Sequence, residues 1–206
     1  MKQNKKYNVY DYVDLGLPSC TLWANRNVGA KNDTDFGLYF ACGETKGYTK
    51  TNVTKGVKSF NWLDYQFGNI KNISKYNKVD SLTVLLPEDD AASVNMGDEW
   101  CIPTVEQLEE LITYTKREWL NNNGVTGIKF SSNKNDNYIF IPCSGEITDG
   151  SIYFENSKGF ILSSNFNNNN ETGVYCLRLS QNGCDILDNH GRCIGVSVRG
   201  VINNVK

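Results

Sequence analysis

The sequence predicts an α+β fold in which helices pack on antiparallel sheets. Three observations predict it: short alternating segments at both ends of the chain, two helix signatures near its middle, and an Asn-Gly turn between alternating runs close to the C-terminus. Both ends are strand-like, so they can pair with each other. Neither an internal repeat nor a linker divides the chain, and residues 1–206 are read as one domain.

Taken in order, Tyr10 to Val28 alternates around Gly16-Leu17-Pro18, which predicts two short strands and a turn. Asp35 to Cys42 carries Phe36, Tyr39 and Phe40 and reads as an aromatic strand or buried turn. A long stretch over 43–79 is rich in Lys, Thr, Asn and Gly but plants Phe60, Trp62, Tyr65 and Phe67 at intervals. Those rings predict a long loop pinned to the core, since a disordered linker would have no use for them. A first helix is expected from Pro87 to Val94, with Pro in its first turn and Glu88, Asp89 and Asp90 beside the positive end of the helix dipole. The same three carboxylates suggest a metal site, but the dipole accounts for them without a ligand.

The second helix has the clearest signature. Thr104 caps it, Gln107 completes a capping box, and Leu108, Leu111, Ile112, Thr115 and Trp119 fall on one face, with termination expected at Asn121-Asn122-Asn123-Gly124. Strands follow at Gly127 to Phe130, Tyr138 to Pro142 and Gly159 to Asn165, then a polar loop from Asn167 to Asn170. The last group, 172–201, reads as a hairpin plus a strand. Val174 to Ser180 and Cys184 to Leu187 flank Gln181-Asn182-Gly183, where Asn and Gly both tolerate positive φ, and Ile194 to Arg199 follows the loop Asp188-Asn189-His190-Gly191. The inward parity (Leu177, Leu179, Ile186, Val196, Val198) is ordinary core, whereas Cys176, Arg178, Ser180, Asp185, Leu187, His190 and Cys193 form a chemically mixed outward set.

Composition narrows the function classes. A net charge of −2 and a pI near 5.5 provide no basic patch for nucleic acid. No run approaches the roughly 18 apolar residues of a membrane span, so no membrane insertion is expected. The start, Met1 to Asp14, lacks the apolar core of a secretory signal, which leads to the expectation of synthesis and folding in a bacterial cytoplasm. The seven cysteines, without C-x-x-C pairs, then read as free thiols packing as small apolar groups, with a Cys176–Cys184 disulfide across the hairpin as the alternative.

A search for chemistry returns little. The single histidine, His190, reads as a solvated turn residue; zinc-type Cys/His spacing, an EF-hand loop and phosphate-binding glycine motifs are all missing. Carboxylate pairs for glycoside hydrolysis are spatial, and nothing in the sequence selects one. Elimination favours binding over catalysis, with no catalytic residue, metal or cofactor expected.

Several runs together resemble a known family: VDLGLPSCTLWANRNVGA at 13–30, DFGLYFACGET at 35–45, PEDDAASVNMGDEWCIPTVEQLEELI at 87–112, IFIPCSG at 139–145, GFILSSN at 159–165 and GVSVRGV at 195–201. They resemble the Fibrobacter succinogenes major paralogous domain. That family is similar to the C-type lectin-like fold of formylglycine-generating enzymes and of the variable proteins of diversity-generating retroelements. The resemblance implies a compact domain with two helices packed on small antiparallel sheets, paired N- and C-terminal strands, and long irregular loops. Cys20, Cys42, Cys101, Leu162 and Gly200 depart from the family's usual Gly, Trp, Arg, Trp and Pro. The calcium-binding E-P-N, Q-P-D and W-N-D motifs of sugar-binding lectins are missing, and Cys184 and Cys193 lack the flanking pattern of the formylglycine-generating pair.

In retroelement-diversified relatives the variable positions lie on the outward face of the terminal hairpin and its loops. Carried onto this chain, these are Cys176, Arg178, Ser180, Asp185, Leu187, Asn189, His190, Cys193 and Ile194. The expected function is a non-enzymatic adhesion module on a bacteriophage virion, as a head fibre, decoration or tail-associated protein. Its expected partners are a host-surface glycan or protein, other virion proteins, and further copies of itself in a homo-oligomer. The alternatives are a bacterial cell-surface adhesin or lipoprotein domain and, further off, a formylglycine-generating-type or carbohydrate-active enzyme.

Overall fold

The computed structural model of the protein describes residues 10–167 and 169–203, so most of the start read for a secretory signal, residues 1–9, lies outside them. The N-terminal strands are β1 (Tyr12–Asp14), β2 (Leu22–Ala24) and β3 (Tyr39–Phe40). The long loop contains a short helix α1 (Lys50–Thr54) and a small hairpin of β4 (Gly68–Asn69) and β5 (Asn72–Ile73). A 3-10 turn (Pro87–Asp89), α2 (Ala91–Met96), β6 (Trp100–Cys101) and α3 (Val105–Tyr114) follow. The remainder is β: β7 (Thr115–Asn122), β8 (Val125–Ser132), β9 (Tyr138–Pro142), β10 (Glu146–Thr148), β11 (Ser151–Tyr153), β12 (Lys158–Phe166), β13 (Gly173–Ser180), β14 (Gly183–Gly191), β15 (Val196–Ser197) and β16 (Val201–Ile202).

Small sheets with three helices make this an α+β architecture. The strands order as β1-β2-β16-β6, β14-β13-β12-β15-β3 and β7-β8-β9, with β4-β5 and β10-β11 as separate hairpins. The two ends of the chain do pair: Val201 and Ile202 lie opposite Trp23 and Leu22. One pairing departs from the antiparallel expectation, since β12 and β15 run parallel through Ile161 and Ser197.

The five-stranded sheet lies between two hydrophobic clusters. Phe160, Leu162, Val174, Cys176 and Val196 point into one, with Phe60, Tyr65, Phe67 and Tyr76 from the long loop. Ile161, Leu177 and Leu179 point into the other, with Leu108 and Leu111 of α3 and Ile128, Phe130, Ile139 and Ile141 of β8 and β9. The loop rings therefore act as core, as their spacing implied. Arg192, fully buried, ties this loop to the end of the hairpin by donating to the carbonyls of Lys75 (3.1 Å) and Tyr76 (3.0 Å) while lying over the Phe166 ring. Arg199, also fully buried, donates to Asn27 Oδ1, the Ala24 carbonyl and the Phe140 carbonyl at 2.9, 2.9 and 2.8 Å. It thereby joins the chain-end sheet to β9. Gly200 leaves no room for a side chain, because a Cβ there would stand 2.7 Å from the Met96 sulfur.

Both helix expectations require revision. The chain around Pro87 forms a 3-10 turn, and the α-helix begins only after Asp90, whose carboxylate accepts from the backbone N–H groups of Ala92, Ser93 and Ile102. Asp89 pairs with Lys75 and accepts from the Tyr76 hydroxyl. Thr104 and Gln107 form the capping box as read, but α3 stops at Tyr114. Residues 115–122 are extended because they find a partner in β8, and Asn123 (φ 52°) and Gly124 (φ 88°) make the two-residue hairpin turn. Backbone pairing with β8 over its whole length outweighed helix periodicity in Thr115 and Trp119.

Candidate functional site at the tip of the terminal hairpin

The strand pair β13-β14 is a long hairpin with Ser180 opposite Gly183 across Gln181-Asn182. Only Gly183 there takes a positive φ, 122°, so Asn182 does not use the left-handed freedom expected of it. The second strand runs on to Gly191, where a loop was expected, because one extra residue is absorbed between the Val174–His190 and Cys176–Leu187 pairs. Such a bulge lets pairing continue past an irregularity and increases the local twist. The third strand contracts to Val196–Ser197.

This geometry sorts the expected binding residues. Cys176 is not outward in the sense of exposed: its accessibility is 0%, because the long loop covers that face of β13. His190 is a strand residue, 6% exposed, with Nε2 2.9 Å from Glu146 Oε2 and its ring beside Phe160. It links β14 to β10 and is not a solvated turn residue; its Nδ1 is buried without a hydrogen-bond partner among the described residues. Cys193 is 5% exposed inside the larger cluster. Leu187 and Ile194 are half-buried and pack on that same cluster. Asn189 is exposed, but it stands in the bulge at the far end of the hairpin from the tip.

Arg178, Ser180 and Asp185 remain, and the structure brings them together. The long loop does not reach the distal end of the hairpin, leaving an open cleft of about 380 Å3 lined by Lys158, Arg178, Ser180, Asn182, Gly183, Cys184 and Asp185. Arg178 and Asp185 are cross-strand partners and bond in a bidentate fork, Nε to Oδ1 at 3.0 Å and Nη2 to Oδ2 at 2.6 Å. Lys158 is Ser180's neighbour on β12 and carries its ammonium 3.9 Å over the Phe154 ring. The cleft therefore presents a fixed ion pair, a second cation and uncharged hydroxyl and amide groups on a rigid pair of strands.

Sequence reasoning missed Lys158, Asn182, Gly183 and Cys184. The alternation of Gly159 to Asn165 was legible, but which strand lies next to Ser180 is a matter of sheet order. Cys184 is half-exposed, and its thiol is pushed above the usual range by burial, with Arg117 lowering and Asp185 raising it. Cys176 is driven up much further, by burial first and then by Glu146. The register puts Cys176 opposite Leu187 and Cys184 opposite Leu179, on opposite faces, so the two thiols cannot bond; all seven cysteines are free.

Among the described residues there is no cluster of three or more potential metal ligands, and no helix is long and apolar enough to cross a membrane. Comparison with protein families, with curated proteins and with solved structures gave no match.

Proposed function

We propose that the chain is a non-enzymatic binding module of C-type lectin-like fold, and that the hairpin tip is its contact surface. The observation that carries this reading is the contrast along one hairpin. Its proximal part is clamped between two cores, while its distal end displays Arg178, Ser180 and Asp185 with Lys158 in an open cleft. Polar groups held on packed strands lose little freedom on binding, which is the economical way to build a recognition surface. Pairing of the chain ends and the long aromatic loop support the fold reading.

In this reading the partner is a host-surface glycan or protein, and the module is displayed on a bacteriophage virion. Weak binding by each copy is multiplied when several copies act together. Two measurements test the proposal. Mass spectrometry of purified particles should find the chain, and the purified protein should be retained on host cells or on a glycan array without turning the ligand over. Absence from particles together with recovery in a bacterial envelope fraction would move it to a cell-surface adhesin, and turnover of a glycan would make it an enzyme.

A further inference from the structure

The tip has a second side. Between β7 and the hairpin turn lies a cleft of about 460 Å3, lined by Thr115, Arg117, Trp119, Ile128, Ser180, Gln181, Asn182, Gly183 and Cys184. Ser180, Asn182, Gly183 and Cys184 also line the first cleft, so the turn is a ridge between the two. This volume falls within the roughly 300–1,000 Å3 of ligand pockets generally.

The charge in this cleft is one-sided. Arg117 is exposed and lines the cleft; none of the lining residues is a carboxylate, and among the described residues Arg117 makes no ion pair. Its positive charge acts on the Cys184 thiol and favours the thiolate. The neighbouring carboxylate, Glu118, pairs across the strands with Lys129 and alternates to the other face of β7. Asp185 is engaged by Arg178 in the other cleft. A planar guanidinium fork without a carboxylate partner suits bidentate recognition of a carboxylate from outside.

The remaining lining suits a sugar ring. Trp119 is half-buried, seated on the smaller core cluster, and offers a fixed aromatic surface. Gln181 and Asn182 are exposed, and their side-chain amides have no hydrogen-bond partner among the described residues. These amides supply donors and acceptors of the kind that ring hydroxyls require.

We propose that this cleft binds a carboxylate carried by a sugar ring, with Arg117 holding the carboxylate, Trp119 under the ring, and Gln181 and Asn182 reaching its hydroxyls. The assignment stands on its own residues and does not depend on the Arg178–Asp185 side. Titration of the full chain with glucuronate, glucose and acetate, followed by the Trp119 indole and the Gln181 and Asn182 amide signals in NMR, tests it. Glucuronate should saturate these signals with a Kd on the order of 1 mM, and glucose and acetate should each bind at least about tenfold more weakly. Arg117→Gln should weaken glucuronate by about tenfold with the melting temperature unchanged, and Arg117→Lys should recover only part of the loss, because an ammonium lacks the fork. Lys116→Gln, on the other face of β7, should leave glucuronate binding as it was. Equal binding of glucose overturns the carboxylate, equal binding of acetate overturns the sugar, and no saturation or no effect of Arg117→Gln overturns the site.

Discussion

The Arg178–Asp185 pair is suited to a double-mutant cycle because its position predicts a small loss of stability and a large loss of binding. Arg178→Met and Asp185→Asn keep most of the side-chain volume and remove the fork alone. The two bonds, 3.0 and 2.6 Å, are short, but the side chains retain 39% and 46% exposure, so solvent screens the attraction. A cross-strand ion pair at this exposure contributes about 0.2–1 kcal/mol. In a chain of 206 residues, 1 kcal/mol moves the melting temperature by about 2–4 °C, so the coupling is worth at most about 4 °C. Retention on host cells should fall by about tenfold or more in the double variant, because the groups lost are those that face outward. The cycle is read by calorimetric melting of the four proteins and by retention of each on cells. Unchanged retention would refute the tip as the contact surface. A melting temperature lower by more than about 8 °C, twice the ceiling just derived, would refute the claim that the pair is peripheral to stability.

Three further outcomes follow from other parts of the structure. Asp90→Ala removes the cap of α2 and orphans the buried Ile102 N–H, which should cost about 2–4 kcal/mol in a denaturant titration; Asp90→Asn should recover only the cap, since its NH2 would face Ile102. Burial works to raise Asp64 and Asp80, but N–H donors from Ser59 and Asn61, with Lys58, outweigh it at Asp64, and those of Tyr76, Asn77 and Leu82 do so at Asp80, so both carboxyls lie below their usual range. A lowered carboxyl stabilises the fold above its unfolded value of about 3.9 and loses that contribution as pH falls through the folded value, so hydrogen-exchange protection in both loops should hold at about pH 5 and collapse toward about pH 2, and unchanged protection would contradict this. A thiol reagent should find at most Cys20, Cys101 and Cys184 in the native protein, and Cys42, Cys143, Cys176 and Cys193 only after unfolding, because burial both shields these four and pushes Cys42 and Cys143 up to about 12.

The strands at 22–24, 138–142 and 158–166, the capping box of α3 and the hairpin ending at Ser180 were legible because their signals are local: alternation, a Thr-x-x-Gln spacing and turn residues. The β7-β8 hairpin also had a local signal, Asn123-Gly124, but it competed with helix periodicity carried through Thr115 and Trp119. A single sequence does not rank two such signals, because what separates them is a strand partner supplied from elsewhere in the chain.

For the candidate site the division is sharper. Alternation correctly placed Cys176, Arg178 and Ser180 on one face of β13 with Asp185 on the same side, whereas the register that sets Asp185 across from Arg178 came only with the structure. Whether that face meets solvent depends on how far the loop over 43–79 extends along it, and that is decided by long-range packing of Phe60, Tyr65, Phe67 and Tyr76. The same packing covers Cys176 and leaves Arg178 open. The sequence by itself determined which side chains share a face, since the period of a strand is local geometry; only the tertiary structure decided which part of that face is surface, since burial is a relation between distant segments.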